Sequence, residues 1–167
     1  MYKLVSNGVI RLEDRAFIFG PDMSNPDWVA YQDWCALGNT PLPEYSLEQL
    51  KSIKIDSINQ ECESSITGGF ASSALGAPHI YDSSIEDQLN LIGSLLASQA
   101  LPSVPFRCRL ESEAEKSWQD HTPSQMQQVY FDGVTFKTTQ LMIASGLKAQ
   151  ILAATSELEL QAITWAQ

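Results

Sequence analysis

Residues 104–134 read VPFRCRLESEAEKSWQDHTPSQMQQVYFDGV, and the fold class turns on them. From Phe106 to Leu110 polar and apolar residues alternate strictly. That is the period of a half-buried strand, with Arg107 and Arg109 sharing the outer face. The run 111–115 is polar and acidic and reads as a turn. Lys116-Ser117-Trp118-Gln119 reads as the return strand of a hairpin. Asp120-His121-Thr122-Pro123-Ser124-Gln125 then opens a helix. Thr122 can cap it, Pro123 loses nothing at the first helical position, and Gln125 completes a capping box. Met126, Val129, Tyr130, Val134, Leu141, Leu147 and Ile151 extend that helix over about 123–154. Gly133 and Gly146 weaken it by roughly 1 kcal/mol each relative to alanine. A strand pair running into a long helix predicts an α+β fold.

Upstream of this stretch, Ser46 with Gln49 forms a capping box, and Leu47, Leu50, Ile55, Ile58, Cys62 and Ile66 predict a helix over about 47–67. Gly68-Gly69 ends it. Phe70 to Tyr81 reads as short paired segments around Gly76-Ala77-Pro78. Ser83 or Ser84, with Glu86 or Asp87, caps a helix over about 84–99 that carries Leu89, Leu91, Ile92, Leu95 and Leu96. Downstream, Ser156 to Glu159 starts a short helix ending near Trp165. The C-terminal part, 47–167, is therefore expected to hold three main helices and one or two β-hairpins.

Residues 1–40 read as a separate module. Tyr2, Leu4, Val9, Ile10, Leu12, Phe17 and Ile18 alternate around Asn7-Gly8, a strong hairpin signal. Asn25 can cap a helix with Pro26 at its first position and Asp27 near the positive end of its dipole. Trp28, Tyr31, Trp34 and Cys35 line one face of that helix, about 26–37, and Gly38 is placed to end it. The two prolines of 39–45 predict an extended stretch, and 41–46 is the expected linker.

The chain has 167 residues, 20 acidic and 10 basic, with a net charge of −10. Its apolar fraction, 44%, is that of a globular protein rather than a disordered one. The acidic balance opposes wrapping a phosphate backbone or binding an anionic membrane, so neither nucleic acid nor membrane is an expected partner. No stretch is apolar for long enough to cross a bilayer, and the N-terminal residues lack the apolar core of a secretory signal. Cys35, Cys62 and Cys108 are odd in number and far apart, which fits buried thiols better than a disulfide framework.

The chemistry motifs are weak. His79 and His121 are isolated, with no CxxC or HExxH spacing, so each reads as a capping or hydrogen-bonding residue and no metal is expected. The acidic runs 82–87 and 111–115 lack the alternation and central glycine of a calcium loop. No glycine pattern cradles a phosphate and no serine sits in a nucleophile elbow. The expectation is a protein without enzymatic activity or cofactor. The feature with functional character is the aromatic stripe Trp28, Tyr31 and Trp34. It reads either as the small core of its module or as a docking face.

The segment IRLEDRAFIFGPDMSNPDWVAYQDWCALGNTPLP (10–43) resembles an N-terminal segment of proteins encoded beside phage tail-fibre genes, tail-fibre assembly chaperones among them. Their pattern runs I-R-L-x-D-G-A, D-x-x-N-x-D-W-x-x-Y-x-x-W, then G-N-T-P-x-P. This chain matches it except at the glycine, where Arg15 stands between Asp14 and Ala16. The pieces 66–91, FRCR (106–109), WQDHTPSQMQQV (118–129), LKAQI (147–151) and AITW (162–165) resemble a domain of unknown function that recurs in phage tail gene clusters.

The resemblance implies a non-enzymatic bacteriophage tail protein, a structural virion protein acting in tail-fibre attachment or assembly by protein–protein interaction. Its partner would be a tail-fibre or baseplate protein, with Trp28, Tyr31, Trp34, Asn39, Pro41 and Pro43 as the expected partner-binding residues. Self-association into a homo-oligomer through the long helix is a further option. The expected location is the host cytoplasm during assembly, then the virion tail. Two alternatives stand beside it: a transient chaperone absent from the virion, and a small host-directed binding protein.

Overall fold

A computed structural model describes residues 1–165. The fold is mixed α and β, with five helices and two antiparallel sheets of three and four strands among the described residues. The chain divides into two compact units, Met1–Leu50 and Lys51 onward.

The first unit opens with a meander of β1 (Tyr2–Val5), β2 (Gly8–Arg11) and β3 (Ala16–Phe19). Val5 pairs with Gly8, so the two-residue turn is Ser6-Asn7 and Gly8 already belongs to the strand. The expected Asn7-Gly8 turn is thus shifted by one residue. A Cβ at Gly8 would lie 2.0 Å from the Ile18 carbonyl oxygen, so the close approach of β3 requires glycine there. Helix α1 (Pro26–Ala36) follows, capped by the Asn25 side chain, which accepts from the Asp27 amide at 3.0 Å. Tyr2, Val9, Ile18 and Tyr31 are buried together, with Trp28, Trp34 and Cys35 packed around them. The segment expected to be a linker is pinned at Leu42. Its carbonyl accepts from the Leu4 amide at 2.8 Å and its amide donates to the Tyr2 carbonyl at 2.9 Å, so Leu42 adds a parallel bridge to β1.

Helix α2 (Leu47–Thr67) starts at the expected Ser46–Gln49 capping box, with reciprocal bonds of 2.9 and 3.2 Å. The second sheet has the order β4 (Phe70–Ser72), β5 (His79–Tyr81), β6 (Val104–Leu110), β7 (Ser117–His121). Between β5 and β6 lies α3 (Ile85–Ser98), capped by Ser84 and Asp87. After β7 comes α4 (Pro123–Ala153), with Thr122 and Gln125 forming its capping box, and then α5 (Glu157–Ala162). Asp120 and His121, read from sequence as part of the helix start, finish β7 and pair with Pro105 and Val104. The core joins Phe70, Tyr81, Leu91, Cys108, Met126 and Val129.

The two glycines of α4 differ. A Cβ at Gly133 would come within 2.8 Å of the Phe70 ring, so this glycine lets the helix settle on β4. Nothing lies within 4 Å of a Cβ at Gly146. Gly146→Ala is therefore expected to stabilise the protein by about 0.5–1 kcal/mol through backbone entropy. Gly133→Ala should give no such gain, because its Cβ displaces Phe70. Thermal melts of the two variants against wild type check the contrast.

Candidate functional site

The residues that carry the N-terminal resemblance have structural roles in the first unit. Arg11 donates to Asp14 through Nη2 at 2.8 Å and to Asp27 through Nη1 at 2.6 Å, tying the β2–β3 turn to the start of α1. The guanidinium, helped by the Ala16 amide, holds the Asp14 carboxyl down to about 2. Arg15, in the turn, has φ of 60° in the left-handed region. This is the position where the resembled pattern carries glycine, the residue that adopts such φ without a Cβ clash. Left-handed backbone costs a non-glycine residue roughly 1–2 kcal/mol. Glycine gives back about 0.4–1 kcal/mol of that through its freer unfolded chain. Arg15→Gly should therefore raise stability by about 0.5–1 kcal/mol. A urea midpoint that falls on this substitution would contradict the assignment.

Trp28, Tyr31 and Trp34 turn inward. The Tyr31 and Trp34 rings each lie 5.1 Å from the Tyr2 ring, and Trp28 lies 5.1 Å from Tyr31. Tyr31 is buried and the tryptophans are half-buried, each keeping one edge in solvent. Asn39 donates its side-chain amide to the Trp34 carbonyl at 2.9 Å, closing the end of α1. Pro41 is half-buried and Pro43 exposed, on either side of the pinned Leu42. The six expected partner-binding residues thus share one unit, and four of them are engaged in holding it together.

In the second unit a thiol, a phenol and an imidazole meet in the core. Tyr81, Cys108 and His121 are fully buried. His121 Nδ1 lies 2.8 Å from the Gln119 carbonyl, which can only accept, so Nδ1 carries the proton. Nε2 then accepts from the Tyr81 hydroxyl at 2.8 Å. Burial pushes the Tyr81 hydroxyl and the Cys108 thiol upward, which keeps both protonated. Burial also pushes His121 below the ordinary 6.5, with the Gln119 carbonyl opposing part of the shift. The unfolded chain therefore binds a proton at His121 before the folded protein does. The resulting stability is complete above the unfolded value of 6.5 and falls as pH drops below it. The urea midpoint should decline as pH falls from about 6.5 to about 5, and decline less in His121→Gln.

The surface of the second unit carries a groove of about 660 Å3 between α3 and the β6–β7 hairpin. Gly93, Ser94 and Ala97 of α3 form one wall, and Val104, Pro105 and Phe106 the other. Trp118 stands at the rim of the edge strand β7, exposed, with the Arg107 guanidinium 5.9 Å from its ring centre. At one end Asp82 pairs with Lys116. Asp87, also lining the groove, is held by the Ser84 amide and hydroxyl in the cap of α3. The side chains here suit binding: a mixed polar and apolar lining, a flat indole anchor and an Asp82 carboxylate already paired with Lys116.

Leu89, which also lines the groove, makes with Ile85, Ile92 and Leu96 a second apolar face of α3, pointing away from the core. Sequence reading took the leucines and isoleucines of α3 as one set, because a helix that is apolar on two faces gives no single direction. Only Leu91 is buried, with Leu95 packed beside it. Trp118 was read only as part of a return strand; its exposure follows from β7 lying at the edge of the sheet, which the order of the strands decides.

Among the described residues, no group of three or more His, Cys, Asp or Glu could hold a metal ion, and no helix is long and apolar enough to cross a membrane. Residues 49–164 match the family described as a domain of unknown function, DUF4376, and the chain belongs to that family. No curated protein and no solved structure matches the chain.

Proposed function

We propose that the protein is a non-enzymatic bacteriophage tail protein that acts by docking onto a tail-fibre or baseplate protein during fibre attachment or assembly. The observation that carries this reading is the pattern of residues 10–43. Its members Arg11, Asp14, Asn25, Asp27, Trp28, Tyr31, Trp34 and Asn39 each make a specific contact in one folded unit. The resemblance therefore rests on residues that make a fold, not on composition. The α3–β6–β7 groove with Trp118 offers a docking surface of ordinary chemistry for a protein segment. The absence of catalysis is supported by the burial of Tyr81, Cys108 and His121, which puts their reactive atoms out of reach of a substrate.

A tagged full-length chain, used as bait in cells producing the phage, tests the reading. Recovery of a fibre or baseplate protein is the expected result, and recovery of host proteins alone overturns it. A mass-spectrometric inventory of purified virions then separates a resident tail component, present at fixed copy number, from a chaperone that has left.

A further inference from the structure

The outer face of α3 carries Ile85, Leu89, Ile92 and Leu96, which are 72%, 64%, 43% and 60% exposed. Their spacing of four, three and four residues is that of a helix–helix seam. The same spacing reads identically in reverse. We propose that α3 pairs antiparallel with α3 of a second copy of this chain, giving a two-fold dimer in which Ile85 meets Leu96 of the partner subunit and Leu89 meets Ile92 of the partner subunit. This inference rests on the second unit alone and stands or falls separately from the tail reading.

Three observations support it. First, a two-fold interface must be self-complementary, and a reversal-symmetric stripe meets that condition without any further feature. Second, charge selects the direction. Glu86 and Asp87 occupy the first turn of α3, and its last turns carry no charge. Parallel pairing would set the acidic turns side by side in a chain of net charge −10. Antiparallel pairing lays each against the uncharged end of the other helix. Third, the area is sufficient. Val134 and Leu141 of α4 line the same surface hollows as Ile92 and Ile85 respectively, with Lys137 in both and bonded to Gln88 at 2.7 Å. The six side chains together expose on the order of 600 Å2, the upper end of the largest apolar patch a monomer ordinarily leaves open. Two copies would bury about 1,200 Å2, where specific interfaces begin.

Light scattering on the purified full-length chain tests the proposal. The expected mass is twice the 18.5 kDa of one chain. Leu89→Asp combined with Leu96→Asp should return a single-chain mass with an unchanged helical circular-dichroism spectrum, since both side chains are exposed in the isolated chain. Direction is read by disulfide trapping against a wild-type baseline. Ile85→Cys mixed with Leu96→Cys should form an inter-chain disulfide, which needs Cα atoms within about 7 Å. Ile85→Cys alone should not, because antiparallel pairing separates its two copies by about 16 Å along the axis, at 1.5 Å per residue. A wild-type mass other than a dimer's, a dimer that survives the double aspartate substitution, or efficient self-trapping of Ile85→Cys each overturns the proposal.

Discussion

Tyr81→Ala is expected to lower the stability of the second unit by about 3–5 kcal/mol, the usual effect of removing a large core ring. The Tyr81 ring is fully buried and stacks on Phe70 at 5.7 Å and Phe106 at 6.2 Å between ring centres. Its hydroxyl is the donor that satisfies His121 Nε2. The alanine variant therefore opens a cavity between β4 and β6 and leaves a buried imidazole nitrogen without a partner. Tyr81→Phe separates the two effects. It keeps the ring and removes the donor, and should lose about 1–3 kcal/mol. Urea unfolding followed by far-ultraviolet circular dichroism reads both, since the helices of the second unit dominate that signal. Equal losses for the two variants would show that the polar bond, not the ring, carries the stability.

Tyr31→Ala should cost the first unit a similar amount, about 3–5 kcal/mol. Tyr31 is the buried member of the aromatic stripe and touches both Tyr2 and Trp28. Trp34→Ala should cost less, about 1–3 kcal/mol, because Trp34 keeps an edge in solvent. Trp28 and Trp34 lie beside the substituted position, so the change in tryptophan fluorescence over the constant background of Trp118 and Trp165 reports on this unit. A Trp34→Ala variant that melts like wild type yet loses its partner would instead assign that ring to docking.

The contrast between the two units explains what the sequence made legible. Helix limits were readable because each is fixed by a local device: Asn25 and Pro26, Ser46 with Gln49, Ser84 with Asp87, and Thr122 with Pro123 and Gln125. Caps act over three or four residues, so a linear reading captures them. The strand ends were less clear. His121 looked like part of a helix start because it adjoins Thr122, but the pairing of β7 with β6 claims it, and that pairing depends on residues far back in the chain. The turn at Ser6-Asn7 was misplaced by one residue for the same reason, since Gly8 is fixed by its approach to Ile18 on a third strand.

The candidate surface was the least legible part. Which apolar residues of α3 face the core depends on where α4 and the sheet lie, and no periodicity within α3 records that. Leu91 and Leu95 turn to the core, and the outward set of Ile85, Leu89, Ile92 and Leu96 emerges only once that core is assembled. The aromatic stripe of α1 shows the converse. Its tryptophans have the composition of an interface, but a unit this small uses them to build its own core.

The proposed role depends on docking to a tail-fibre protein. Co-expression of the chain with a phage tail-fibre protein, followed by size-exclusion chromatography with light scattering, puts that docking to the test. A co-eluting complex of fixed stoichiometry is expected, weakened by Trp118→Ala without loss of fold. A fibre that is soluble and assembled without this protein, with the two eluting separately, would contradict it.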